Sequence, residues 1–137
     1  MSRLVYTELL DGKYMKNNNI ESIISFFDLN NITYIYEGYI SISFYDLDGD
    51  IDHKRILKSE IFSKNNIQTI FSTMIINNKK YSLEFSPISN KQLDITFGSY
   101  KKLDNNFVDF TWIYNNFLKK IQNELFCFQS IITYDYK

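Results

Sequence analysis

Chemistry-bearing residue types are scarce in this chain. It holds one His, one Cys, one Pro, four Gly and no Ala, against eleven Tyr and twelve Phe. Most enzyme mechanisms draw on a group that titrates near neutrality, an activated nucleophile, a metal-ligand cluster or a glycine-cradled phosphate. That stock is almost empty, so the sequence predicts a protein that is not an enzyme and carries no cofactor. One cysteine excludes an intramolecular disulfide. Its place in the apolar run Leu125-Phe126-Cys127-Phe128 predicts a buried thiol that serves only to pack. No apolar run approaches the roughly 20 residues of a membrane span, and Met1-Ser2-Arg3-Leu4-Val5-Tyr6-Thr7-Glu8 does not read as a signal peptide. A cytoplasmic protein without membrane contact is expected.

What is present fits a single domain over residues 1–137, since a chain of this length buries roughly two thirds of its unfolded surface and needs no staple. The hydrophobic share of 45% and the charged share of 23% are ordinary, whereas 18% aromatic is high. Ile and Asn are abundant as well, as the AT-rich codons of some bacteria and their phages would produce. Net charge is −1, which gives no global attraction to nucleic acid. Residues 1–60 carry ten acids and six bases, however, and residues 61–137 carry six acids and nine bases. The surface should therefore have a direction. The basic pairs Lys79-Lys80, Lys101-Lys102 and Lys119-Lys120 are dispersed, and no basic strand is interleaved with aromatics. A nucleic-acid site is not expected.

Periodicity sets the architecture. Ile20, Ile23, Ile24 and Phe27 form the stripe of an amphipathic helix that Asn18 or Asn19 can cap and Asn30-Asn31 ends. From Thr33 to Asp46 the period falls to two: Ile40, Ile42 and Phe44 alternate with Ser41, Ser43 and Tyr45, with a break at Gly38. Asp48-Gly49 supplies a hairpin turn, and Ile51 to Glu60 fits either a returning strand or a short helix. Strands follow at 67–76, 81–85 and 92–97, with turns at Asn77-Asn78-Lys79-Lys80 and Pro87-Ile88-Ser89-Asn90. Leu103-Asp104-Asn105-Asn106 should cap a second helix through Phe107, Phe110, Ile113 or Tyr114, Phe117, Leu118, Ile121 and Leu125. A last strand, 126–134, places Phe126, Phe128, Ser130, Ile132 and Tyr134 on one face. The expected fold is α+β, a mostly antiparallel meandering sheet with two helices packed on one face.

The sharpest local feature is Asp46-Leu47-Asp48-Gly49-Asp50-Ile51-Asp52-His53. Alternate carboxylates can gather around a hard cation. The EF-hand pattern needs Gly after the third acid and Glu at the twelfth position, where this chain has Gly49 before Asp50 and Leu57 at the end. A solvated acidic hairpin or a loop meeting a basic partner fits better than a metal site. His53, between Asp52 and Lys54-Arg55, reads as a surface residue without a nucleophile to serve. Tyr39 and Tyr45 share a strand face with Ser41 and Ser43, beside the acidic turn. Tyr34 and Tyr36 fall on the core side with Ile40. Rigid amphipathic rings with small hydrogen-bonding neighbours have the composition of a recognition surface. The candidate partner-binding residues are thus Tyr39, Tyr45, Asp46, Asp48, Asp50 and Asp52. Trp112 lies a third of a turn off the helix stripe, where it should cover the helix–sheet seam or, if exposed, mark an interface.

In size and texture, with Tyr45-Asp46-Leu47-Asp48-Gly49-Asp50 as its most marked segment, the chain resembles the small immunity proteins of bacterial toxin systems, including contact-dependent inhibition. The resemblance implies a non-catalytic protein that binds a cognate toxin and blocks it. The alternatives are a phage-encoded inhibitor of a host system and a small enzyme or ligand-binding domain built on the Asp46–His53 region.

Overall fold

The computed structural model describes residues 3–100, 103–104 and 107–136. In chain order the elements are β1 (Arg3–Leu10), β2 (Lys13–Tyr14), α1 (Asn19–Leu29), β3 (Ile35–Tyr36), β4 (Tyr39–Tyr45), β5 (Ile51–Ile56), α2 (Lys58–Ile61), β6 (Ile67–Ile76), β7 (Lys79–Ser89), β8 (Gln92–Tyr100), β9 (Leu103–Asp104) and β10 (Phe107–Val108). The last helical run follows as α3 (Phe110–Ile113), a π-helical segment (Tyr114–Leu118) and α4 (Lys119–Glu124), and the chain continues in β11 (Phe126–Cys127) and β12 (Ser130–Tyr136).

The α+β class is as the pattern predicts. Eight strands form one antiparallel sheet in the order β12-β1-β8-β7-β6-β4-β3, with β5 also on β4. Ile42 pairs with both Lys54 and Ile70, so β5 and β6 take the two edges of β4. Two-residue turns with left-handed backbone fix the register: Asn77 and Asn78 at φ 52° and 65°, Glu37 and Gly38 at 53° and 86°. Such pairs match the right-handed twist of the strands they join, and Asn and Gly adopt them at least cost.

The helices lie on one face because their apolar stripes have no other surface to cover. Asn18 caps α1, its side-chain oxygen accepting from the Glu21 N–H at 3.0 Å. Ile20, Ile23, Ile24, Phe26 and Phe27 then turn inward. From the last helical run come Ile113, Phe117, Leu118 and Ile121. The two stripes meet over β7 and β8. Phe85 has ring centroids of Phe27 at 4.9 Å, Phe117 at 6.2 Å and Phe26 at 6.3 Å around it, and Phe117 also meets Phe97 at 5.2 Å. Trp112 sits at the seam, 5.6 Å from Tyr81.

Several expectations are corrected. β1 is a strand that the pattern did not flag, and it lies inside the sheet between β8 and β12, with Val5, Thr7 and Leu9 on the core side. The predicted turn at Pro87–Ser89 is strand, tolerated because Pro87 lies beyond the β6–β7 register at an irregularity of the β7–β8 pairing. Phe107 is in β10, paired with β9, and Asp109 is the true helix cap, accepting from the Trp112 N–H at 3.1 Å. Asn105, Asn106 and Lys101-Lys102 lie outside the described residues. The terminal strand is two: β11 pairs with β2, β12 with β1. Phe126 and Phe128 are buried while Ser130, Ile132 and Tyr134 are exposed, so they share no single face. Cys127 is exposed, not buried, because Phe126 takes the inward position of that short strand. Tyr36 faces away from Ile40, since the chain reverses at Glu37-Gly38 and pairs Tyr36 with Tyr39.

Phe85 is fully buried among three other rings. Phe85→Ala should cost about 3–5 kcal/mol of stability, measured by urea unfolding. A loss below about 1 kcal/mol would show that the ring cluster is not the centre of the core.

Candidate functional site

The six residues singled out by the sequence cluster on one hairpin but not on one face. In the β4–β5 register Tyr45 pairs with Ile51, Ser43 with His53 and Ser41 with Arg55. Tyr39 and Tyr45 therefore share the helix-free face of the sheet with Ser41 and Ser43, as the alternation predicts. Asp52 pairs with Phe44 and points to the other side, and its carboxylate accepts from the His53 N–H at 2.8 Å. Asp52 and His53 thus flank opposite faces of an exposed edge strand.

The turn is held by its first residue. Oδ1 of Asp46 accepts from the backbone N–H of Asp48 and of Asp50, each at 2.9 Å. Around it the Asp46 N–H donates to the Asp50 carbonyl at 2.8 Å, and the Gly49 N–H to the Asp46 carbonyl at 3.0 Å. Gly49 sits at φ 81°, the left-handed conformation that glycine reaches without strain. Asp46 is thereby spent on its own backbone, while Asp48 and Asp50 stand exposed. Leu47, between Asp46 and Asp48, is fully exposed. Flanking it, Tyr45 and Ile51 are 44% and 54% exposed. On the strands, Arg55 lies over the Tyr39 ring at 4.8 Å and reaches Glu37 at 3.5 Å, and Lys54 lies over Phe44 at 4.5 Å.

The rest of the helix-free face is polar, and sequence reasoning did not find it. A row of side chains crosses the sheet from His53 through Ser43, Thr69, Ser86 and Asp94 to Glu8. Ser43, Thr69 and Asp94 in it are buried. The Asp94 carboxylate accepts from the Tyr6 hydroxyl and from Gln92 Nε2 at 2.9 Å, and Gln92 also reaches Glu8 at 3.3 Å. Burial raises the Asp94 pKa above the usual carboxylate range; the two donors oppose that shift and the Glu8 charge adds to it. Burial likewise pushes the Tyr14 phenol well above its ordinary range, with the charge of Asp94 adding.

Beside this row, between β4, β6 and β7, lies a groove of about 430 Å³ lined by Tyr36, Ser41, Phe71, Ser72, Thr73, Ser82, Leu83 and Glu84. It exists because small side chains alternate with rings. The Tyr36 hydroxyl is fixed on the Thr33 carbonyl at 3.0 Å and on Thr73 Oγ1 at 2.8 Å, which holds that ring as one wall. Ser82 faces Gly98 across the β7–β8 pairing, where a Cβ would collide with the Ser82 hydroxyl. Glu84 is half-buried in this groove, and burial alone raises its pKa.

No family model, curated protein or solved structure matches this chain. Its own geometry is the guide. Among the described residues no group of three or more His, Cys, Asp and Glu could hold a metal ion, and no helix is long and apolar enough to cross a membrane. What the arrangement offers is contact: an acidic, apolar-tipped hairpin that continues into a polar sheet face. The strand alternation Phe71, Thr73 and Ser82, Glu84 was readable as a face. The groove was not, because it depends on β3 reaching β6 through Tyr36.

Two outcomes follow from these contacts. Asp46→Ala should speed amide exchange at Asp48 and Asp50 by loosening the turn, whereas Asp48→Ala should not, read by hydrogen-exchange NMR. Glu84 holds its proton more tightly in the folded chain than in the unfolded one. Its contribution to stability is therefore present below the ordinary glutamate pKa and is lost as pH rises through the raised folded value. Glu84→Gln should accordingly melt higher than the wild type at about pH 7 and match it near pH ~4; parallel melting curves at both would refute the desolvation.

Proposed function

We propose that this protein is a non-catalytic binding protein of the immunity type, which neutralises a cognate toxin by direct contact through the β4–β5 hairpin. The observation that carries the reading is the tip itself. Leu47 stands fully in solvent with Tyr45 and Ile51 exposed behind it, and the exposed Asp48 and Asp50 follow it along the turn. One exposed leucine is ordinary. Three large apolar side chains gathered on one turn and its flanking strand ends are the makings of an interface centre, which anchors of this kind dominate once water is excluded.

Two further features support it. The Asp46 hydrogen bonds hold the turn in one shape, so little ordering remains to oppose association. Residues 46–56 of this hairpin carry four acids against two bases, and such a field speeds encounter with a basic surface more than it deepens affinity. A toxin with a basic active-site rim, such as a nuclease, is the partner of matching charge.

The test is capture from cells of the native host, or with the product of the neighbouring upstream gene, using the full chain as bait. One stoichiometric partner is expected, held less tightly as salt rises. Leu47→Ala should weaken it about tenfold or more, and Asp48→Lys with Asp50→Lys should slow association. Capture unaffected by all three changes would sink the hairpin reading. Failure to hold any protein would sink the function.

A further inference from the structure

Among the described residues, Glu84 is the half-buried acid of the helix-free face whose carboxylate accepts from no side chain. Asp94, its counterpart on β8, accepts from Tyr6 and Gln92. The Glu84 carboxylate, among the described residues, has no hydrogen bond and no ion pair, and burial is the whole cause of its raised pKa. A carboxylate withdrawn from water is ordinarily paired, because leaving it unpaired is costly. Groups so placed in a cleft are where ligands are met.

The surroundings define what would meet it. Phe71 pairs directly with Glu84 across β6–β7, and Tyr36 stands with it in the groove lining, its hydroxyl already held by Thr33 and Thr73. The faces of both rings attract cations. Ser41 and Ser82 have no hydrogen-bond partner among the described residues and can accept, as an ammonium with three donors requires. The basic side chains facing this side from β5 are His53 and Arg55. Arg55 is occupied by Glu37 and the Tyr36 carbonyl, and His53 lies 6.2 Å from the Phe71 ring. At about 430 Å³ the groove falls within the range of roughly 300–1,000 Å³ typical of small-molecule sites.

We propose that the groove between β4, β6 and β7 binds a small organic amine, its ammonium group on the Glu84 carboxylate and its apolar body against Phe71 and Tyr36. This site is separate from the hairpin tip and does not depend on the toxin-binding reading. The burial that raises the Glu84 pKa in the empty groove would be offset once the ammonium arrives.

The experiment uses benzylamine as the probe and benzyl alcohol as its neutral counterpart, titrated into the isotope-labelled full chain at neutral pH and followed by amide shifts. Saturable shifts around Thr73 and Ser82 are expected with benzylamine and not with the alcohol. Affinity should fall about tenfold or more in Glu84→Gln, the loss expected for a charge-assisted hydrogen bond. Ser82→Leu, which fills the groove at a surface position, should abolish binding while its amide spectrum stays dispersed. The proposal is overturned by the absence of saturable binding, by equal binding of the alcohol, or by unchanged affinity in Glu84→Gln.

Discussion

The packing of Phe85 against Phe26, Phe27 and Phe117 is the constraint on which the rest of this molecule depends. It joins the first helix, the last helical run and the middle of the sheet in one contact set, with Phe97 and Trp112 extending it along β8 and the helix seam. Aromatic rings bury large areas and prefer tilted or edge-on neighbours, and the pairs here are at 54–77°. A chain without alanine has few small spacers with which to bring helices close. It fills the gap between helix and sheet with rings instead.

That choice has a consequence for the opposite face. Both helices are committed to one side, so the other is left uncovered and must be polar. Its central strands are nonetheless crowded enough to bury Ser43, Thr69 and Asp94. Those groups persist because each is bonded: Ser43 to Gln68, Thr69 to Ser86 at 2.7 Å, Asp94 to Tyr6 and Gln92. Buried polar atoms in a sheet are tolerated on that condition. Thus the face combines order with hydrogen-bonding capacity, which suits recognition.

The elements most legible in the sequence were those whose signals are local. The α1 stripe and its Asn18 cap, the Ile40-Ile42-Phe44 alternation, the break at Gly38 and the Asp-Gly turn all follow from spacing and backbone preference over a few residues. β1 was missed although Val5, Thr7 and Leu9 alternate, because its place between β8 and β12 is decided by partners almost 90 and 130 residues away. Pro87 looked like a turn and is strand, since the register of β6 ends before reaching it. Cys127 looked buried by composition and is exposed by alternation. The same division runs through the site: the hairpin was legible, whereas the Glu84 groove requires β3, β4, β6 and β7 to come together.

Asp94 and Glu84 show how structure and function can be told apart on one sheet. Both are carboxylates on the same face of adjacent strands, and burial raises the pKa of both. Around Asp94 the chain supplies two donors, and the cost of burial is met within the fold. Around Glu84 it supplies two rings and hydroxyls that do not donate to the carboxylate. An unmet polar group lowers stability with no structural return, and such deficits gather where a protein needs a site to be filled from outside. The Asp46 turn lies at the other extreme, with the amides of Asp46, Asp48, Gly49 and Asp50 answered and its apolar tip left in water. On the readings proposed above, this turn would meet a surface and the Glu84 groove a charge.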